Sequence, residues 1–424
     1  MLEKNKFMVS KKMVMVFLLI LFQFFPTNGA HARPYLFIIA TMFILPINVR
    51  YFKMGITDWL YAVTYIGSLI IHFYSGSIVS AITFWGFFFV APYIVKRSIR
   101  TREDFEKVIS IIIVLFMIYA ALGICESLTH FNLFDIIWNR NVVEGFANRY
   151  RYGIYRNHGI SMVSINNAML VNMVWAIAAY RLCIAKKRKS FWLIAYIIIG
   201  MDVLLIMSRA VIAIGVVAQC YIFHKKGVKW LANKILVITV LVILGAILFY
   251  DQIQNVISIV VGLFTPIIEQ ILGNKADTVD GTGERLILWN WVYSTVKNHL
   301  FTGIGFQTPF QYQYSGISGI YSWTATKTSI EVQWLAVLYE KGLFGMIGFI
   351  IFQMGSLKKA LKLKSENKMI GGGQFTFASV AIVIVVSYFV ELFTCAAAED
   401  LQFFYIIMGI ITSYGWILQN ESKL

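Results

Sequence analysis

Charge is scarce in this sequence. Only 14% of the 424 residues are Asp, Glu, Lys or Arg, while 59% are apolar. Soluble domains carry about a quarter charged residues, so a soluble multidomain protein is excluded. Cysteine is scarce too. Cys125, Cys183, Cys220 and Cys395 form no close pair and no metal-ligand spacing, and each lies in or beside an apolar run. A thiol there behaves as a small hydrophobe, which disfavours both a disulfide scaffold and a zinc site. The chain has no internal repeat, no Gly- or Ser-rich linker and no nucleotide-binding loop. Acidic residues are the minority sign, 21 against 37 Lys and Arg, giving a net charge of +16. Such an excess signals a nucleic acid, an anionic lipid surface or a membrane topology, and the placement of the charges decides among them.

What is present is a succession of apolar runs, each about as long as a membrane span requires. Twelve are expected, near 13–25, 34–49, 57–74, 77–95, 108–125, 161–184, 191–207, 209–223, 235–250, 342–357, 374–393 and 401–417. The first follows Lys4, Lys6, Lys11 and Lys12 and resembles a signal peptide, with 28–32 passing for a cleavage site. Because apolar spans continue to the end of the chain, it reads as an uncleaved first span. The expected fold is therefore all-α, a single polytopic membrane domain over residues 1–424.

An even number of spans puts both termini on one side. With that side cytoplasmic, the inner segments 1–12, 50–56, 96–107, 181–190, 224–234, 356–370 and 418–424 hold 26 of the 37 basic residues. The same inner segments hold six acidic residues, so the basicity is topological and nucleic acid drops out. Asn255–Leu272 is apolar enough to be a thirteenth span, but counting it would split basic segments 224–234 and 356–370 between the two sides. It reads as an outer amphipathic or re-entrant helix. Gly371-Gly372-Gly373 reads as a cytoplasmic turn. Two outer segments are long, 126–160 and 251–341, and the larger is expected to carry helices and the site.

Four groups on the outer side could carry chemistry. At Met207-Ser208-Arg209-Ala210 two spans meet with almost no loop, leaving Arg209 at the outer mouth; an ionisable residue at that depth is a functional candidate. In the stretch Gly281–Trp289, Thr282 can cap a helix, Glu284 suits its first turn, and Arg285 is expected to share a face with Trp289, Val292 and Val296. There, Arg285 pairing with Glu284 or Asp280 is the plain alternative. A tight turn, Asn298–Gly305, follows. The third group is Glu331, at the head of an apolar helix that stops at Gly342, where a span begins. Arg151 and Arg156, within Arg149–His158, are the fourth, and ordinary surface contacts would also account for them. His158 and His299 read as structural.

Taken in order, Ser208-Arg209-Ala210, the Gly281–Trp289 helix, the Asn298–Gly305 turn and the Leu335…Glu340-Lys341-Gly342-Leu343-Phe344-Gly345 run resemble the O-antigen ligase and O-antigen polymerase (Wzy-type) superfamily. The resemblance covers roughly residues 150–350 by motif and the whole chain by topology. It implies a GT-C-like fold and glycosyl transfer at the outer face of the bacterial cytoplasmic membrane, with no metal, cofactor or nucleotide sugar. The donor would be an oligosaccharide on undecaprenyl diphosphate, with the diphosphate as leaving group. Arg209 and Arg285 match the family's essential arginines, and arginine's planar fork suits phosphate oxygens. Arg151 or Arg156 would add a third contact. One departure stands out: ligases of this superfamily carry a His four residues before the Leu that matches Leu335, and this chain has Glu331 there. A carboxylate can still accept a proton, so Glu331 is the expected base. The resemblance implies partners in membrane lipid, a flippase and a chain-length regulator. Polymerase, ligase, and transporter or lipid-linked-sugar flippase are the three readings; the spans are almost free of charge, Asp202 being the main exception, which disfavours the last.

Overall fold

In a computed structural model of the protein, the described residues are 11–24, 54–73, 77–137, 150–151, 154–161, 164–227, 282–306, 308, 310–318, 321–327, 330, 332–369, 375–396 and 399–421. The chain is helical and polytopic. Helices α1 (Lys11–Leu21), α2 (Ile56–Ile71), α3 (Ser77–Trp85) and α4 (Ala91–Ser98) precede the long α5 (Arg102–Thr129) and the short α6 (Leu133–Ile137). Then come α7 (Ser164–Ile184), α8 (Lys189–Leu205), α9 (Arg209–Lys226), α10 (Thr282–Val296), α11 (Gln333–Met369), α12 (Phe377–Glu391) and α13 (Glu399–Glu421). Ten of the twelve expected spans fall on these elements; 34–49 and 235–250 lie outside the described residues, as do Asn255–Leu272 and Gly371–Gly373.

Among the described residues, five helical stretches are long and apolar enough to cross a membrane: Ser77–Ser98, Arg102–Thr129, Ser164–Ile184, Gln333–Asn367 and Leu401–Glu421. Large apolar side chains such as Val63, Ile70, Val217 and Met354 remain exposed along the helices, as expected of surfaces whose solvent is lipid. The core between them is aromatic, with Phe105, Phe116, Phe377, Phe403, Phe404 and Tyr388 fully buried.

Local chemistry explains where helices begin and bend. The fifth run is longer than its apolar window because Thr101 caps α5 through the Asp104 amide, with Asp104 returning a bond to the Thr101 amide, so a charged turn joins the helix. Between α3 and α4 the ladder widens into a π turn, Gly86–Val90, just ahead of Pro92, which has no amide hydrogen to give. Beside the helices, two short antiparallel ribbons occur among the described residues. An antiparallel ribbon pairs β3 (Tyr312–Ser318) with β4 (Tyr321–Lys327), and a shorter one pairs β1 (Tyr150–Arg151) with β2 (Ile154–Tyr155).

One end of the bundle gathers the basic segments. There Lys359 Nζ lies 2.6 Å from both oxygens of buried Asp58, Arg102 forms a fork with Glu421 at 2.6 and 2.7 Å, and Arg181 pairs with Glu106. Helices α5 and α8 start at this end, so Glu126, Leu205 and Arg209 lie at the other. Gly342 precedes Lys359 by 17 residues, about 25 Å along a helix, and so lies at that far end too.

Candidate functional site at the far end of the bundle

The far end is built from two chain reversals. The first is the corner between α8 and α9. Asp202 O accepts from the Ile206 amide at 3.1 Å and Leu204 O from the Met207 amide at 3.1 Å, which closes α8. Met207 then takes φ 56°, left-handed backbone that a bulky L-residue rarely adopts. Ser208 is extended, and its carbonyl accepts from the Ile212 amide at 2.9 Å, so α9 begins directly at Arg209. Three residues thus separate the helices, as the sequence suggested. Arg209, half-buried, sits at the first position of α9, where the helix dipole already presents partial positive charge. Cation and helix end together make this corner a place that an anion would relieve.

Arg156 is brought to this corner. It is buried, and its Nε donates to Ile206 O at 2.9 Å, three residues before Arg209. The two arginines were read from different segments, and the fold places them together. The next residues of the same loop plug into neighbouring helices. Asn157 Nδ2 donates to Asp202 Oδ1 at 2.9 Å and to Ser127 Oγ at 3.2 Å, and Asn157 Oδ1 accepts from Asn167 Nδ2 at 2.8 Å. His158 lies between two carboxylates, Nδ1 at 2.8 Å from Glu126 Oε1 and Nε2 at 3.0 Å from Asp135 Oδ2. Gly159, at φ +54°, turns where an added Cβ would fall 2.0 Å from the Tyr119 hydroxyl, which itself accepts from the Ile160 amide at 3.0 Å.

Glu126 organises this loop. Its Oε1 accepts from the His158 amide at 3.0 Å, and its Oε2 from the Gly159 amide at 3.1 Å and Asn132 Nδ2 at 2.9 Å. With the His158 ring, four donors meet a carboxylate that has about four acceptor positions. Burial disfavours the charged imidazole, yet the hydrogen bonds and charges of Asp135 and Glu126 outweigh it and push the His158 pKa up to about 9. Apart from Asp202, noted as a lone charge in a span, and His158, read as structural, none of these supporting groups was singled out from the sequence. The usable signal was polar residues inside apolar stretches: Glu126, Asn167 and Asp202.

The second reversal joins the turn after α10 to α11. Helix α10 starts at Thr282, the residue read as its cap, and places Arg285 in its first turn; the Arg285 side chain lies outside the described residues. The buried face of α10 is Leu288, Val292 and Val296, whereas Trp289, expected on that face, is exposed. The turn 299–305 is then stitched to α11 by backbone bonds. Ile304 N donates to Tyr339 O at 2.7 Å, Gly305 N to Glu340 O at 3.1 Å, Leu343 N to Leu300 O at 2.8 Å and Phe344 N to Phe301 O at 3.0 Å. Gly303 (φ +80°) and Gly342 (φ +61°) face each other at the centre, where a Cβ on either would lie 2.5 to 2.6 Å from the other's backbone. As expected, the first helical stretch stops at Gly342, whose backbone is non-helical, and the span begins there. Two motifs that were separate in sequence, the Asn298–Gly305 turn and the Glu340–Gly345 run, are one joint. Lys341 lies over the Tyr65 and Phe306 rings at 4.2 and 4.8 Å, holding α2 to it.

Glu331 and the Arg151 side chain lie outside the described residues. Gln333, two residues on from Glu331, begins α11 with its amide bonded to Cys395 O at 3.1 Å, so α11 starts against the chain leaving α12. Among the described residues no group of His, Cys, Asp and Glu could hold a metal ion.

Part of the chain is similar to a known family. Residues 190–350 match the family model of the O-antigen ligase. The O-antigen ligase match runs from α8 into α11, and so takes in the Arg209 corner, the Arg285 helix and the glycine joint, while loop 156–161 precedes it. It is the superfamily that the motifs resemble. The match supports an activity of the O-antigen ligase or polymerase type. No curated protein matches the chain.

Proposed function

We propose that the protein is a polymerase that joins oligosaccharide repeat units of O-antigen or capsule at the outer face of the cytoplasmic membrane, both termini being cytoplasmic. The observation that carries this reading is the Arg156–Ile206 bond, which sets a second arginine against the corner that presents Arg209, at the end opposite the basic segments. In the reaction, a hydroxyl oxygen of the incoming lipid-linked unit bonds to the anomeric carbon of the growing chain, and the bond from that carbon to undecaprenyl diphosphate breaks. Glu331 takes the hydroxyl proton. Arg209 and Arg285, with Arg156 or Arg151, hold the diphosphate as negative charge accumulates on it. The reaction draws on no metal or organic cofactor. A flippase that delivers units and a chain-length regulator are the expected partners.

The test is a polysaccharide gel. Arg209→Ala and Arg285→Ala should leave single repeat units where the wild type gives a ladder, and full ladders at equal expression would refute the assignment. The match to the O-antigen ligase family supports a second reading, a ligase that moves finished chains to another acceptor. Glu331 in place of the ligase His counts against it. A ligase mutant would retain long chains on the carrier lipid, which separates the two outcomes.

A further inference from the structure

Three consecutive side chains of loop 156–161 anchor on different elements. Arg156 reaches the α8–α9 corner at Ile206 O, Asn157 reaches Asp202 on α8 and Asn167 on α7, and His158 reaches Glu126 on α5 and Asp135 on α6. Both His158 nitrogens face carboxylate oxygens. A neutral imidazole could accept at Nε2 from Asn132 Nδ2, 3.1 Å away, but it would turn the same lone pair toward Asp135 Oδ2. Asn132 Nδ2 already donates to Glu126 Oε2 and Gly159 O at 2.9 Å, so this geometry favours the imidazolium. The groups packed on the ring are Glu126 from α5 and Asp135 from α6; Arg156 and Asp202 are the next charged groups, reached through the loop and through Asn157. Glu126 also receives the loop's own amides at His158 and Gly159, so losing the imidazolium would leave the carboxylate that binds the loop backbone short of its charged partner.

We infer that His158 is a positioning residue whose positive charge locks loop 156–161 and thereby holds Arg156 at the corner that presents Arg209. That this serves substrate binding rests on the reading of Arg209 and Arg156 as diphosphate ligands. The lock holds while the imidazole is protonated and opens as pH rises through about 9.

The test uses the full-length protein in lipid nanodiscs, with undecaprenyl diphosphate as the probe. Ring-carbon NMR of the six histidines, with His158→Gln identifying the missing signal, should find one titrating near pH 9. Amide exchange over residues 154–161 should be slow at pH 7.5 in the wild type and at least tenfold faster in His158→Gln. Probe affinity should hold from pH 7 to 8 and fall about tenfold by pH 10, a range in which the diphosphate's own charge is settled. Asp135→Asn, which removes one carboxylate and keeps the shape, should move that falling limb down by about one pH unit. A purely structural histidine would not move it. The inference is overturned if His158 titrates near 6.5, if exchange is unchanged in His158→Gln, or if the limb ignores Asp135→Asn. If the first two results appear but the probe binds at no pH, the diphosphate reading fails and the lock stands.

Discussion

The two chain reversals at the far end do the same job with opposite chemistry. Loop 156–161 and the α8–α9 corner are joined by side chains, several of them charged, while turn 299–305 and the Gly342 kink are joined by backbone amides and carbonyls across two facing glycines. Each reversal fixes a helix that carries a candidate arginine, α9 with Arg209 and α10 with Arg285. The difference teaches that position can be held by charge or by close approach. A joint held by charge answers to pH and to isosteric substitution. A joint held by close approach answers to any added carbon.

The largest effect should therefore come from the glycine joint. Gly342→Ala and Gly303→Ala each force a Cβ to within 2.5 to 2.6 Å of backbone at positive φ, with no flexible side chain to give way. A loss of about 4 kcal/mol in reversible unfolding from mixed micelles is expected for each. The double variant should cost much less than the sum, because one displacement relieves both. Strict additivity would show that the two glycines do not share a contact. Glu126→Gln comes next, at about 3 kcal/mol. It keeps the shape but leaves the buried imidazolium one carboxylate fewer and sets a donor against the loop amides.

A third effect distinguishes the joints by pH. The His158 pKa lies at about 9 in the folded protein and near 6.5 in an unfolded chain, so the folded state binds the extra proton between those values. Its stabilisation is complete below about pH 6.5 and is lost as pH rises through 9, by about 2–3 kcal/mol. The wild type and Gly342→Ala should share this decline, and His158→Gln should lack it. A decline that disappears in Gly342→Ala would mean that the two joints open together.

How much of this could be read in advance follows the same division. Spans, basic end and corner were legible because they rest on composition and on local sequence: an apolar run, a cluster such as Lys186–Lys189, a Ser208-Arg209 junction with no room for a loop. The motifs at Asn298–Gly305 and Glu340–Gly345 were visible as glycine-marked turns, but their mutual contact was not, since backbone pairing across about 40 residues leaves no mark on side-chain type. The charged joint was the least legible. Glu126, Asp135 and His158 come from three different elements, and each alone looks like a surface or structural residue; only the fold makes them one network. Trp289 went wrong for a simpler reason. It sits one position past Leu288, off the i, i+4, i+8 stripe of Leu288, Val292 and Val296, which packs inward.

The smallest expected effect sharpens the comparison from outside, at the basic end. Arg102 and Glu421 meet in a two-pronged fork at 2.6 and 2.7 Å, shorter than any contact His158 makes, yet their side chains are 57% and 32% exposed. If distance set the value of an ion pair, Arg102→Ala would cost more than Glu126→Gln. Solvent screening and the entropy of holding two long side chains argue the reverse, about 0.5 kcal/mol at low salt. That small loss should fade further near 1 M salt, where the screening length falls to about 3 Å, while the cost of Glu126→Gln persists because salt does not reach the buried cluster. Equal costs for the two variants, or equal salt dependence, would remove the ground for treating loop 156–161 as a joint held by buried charge.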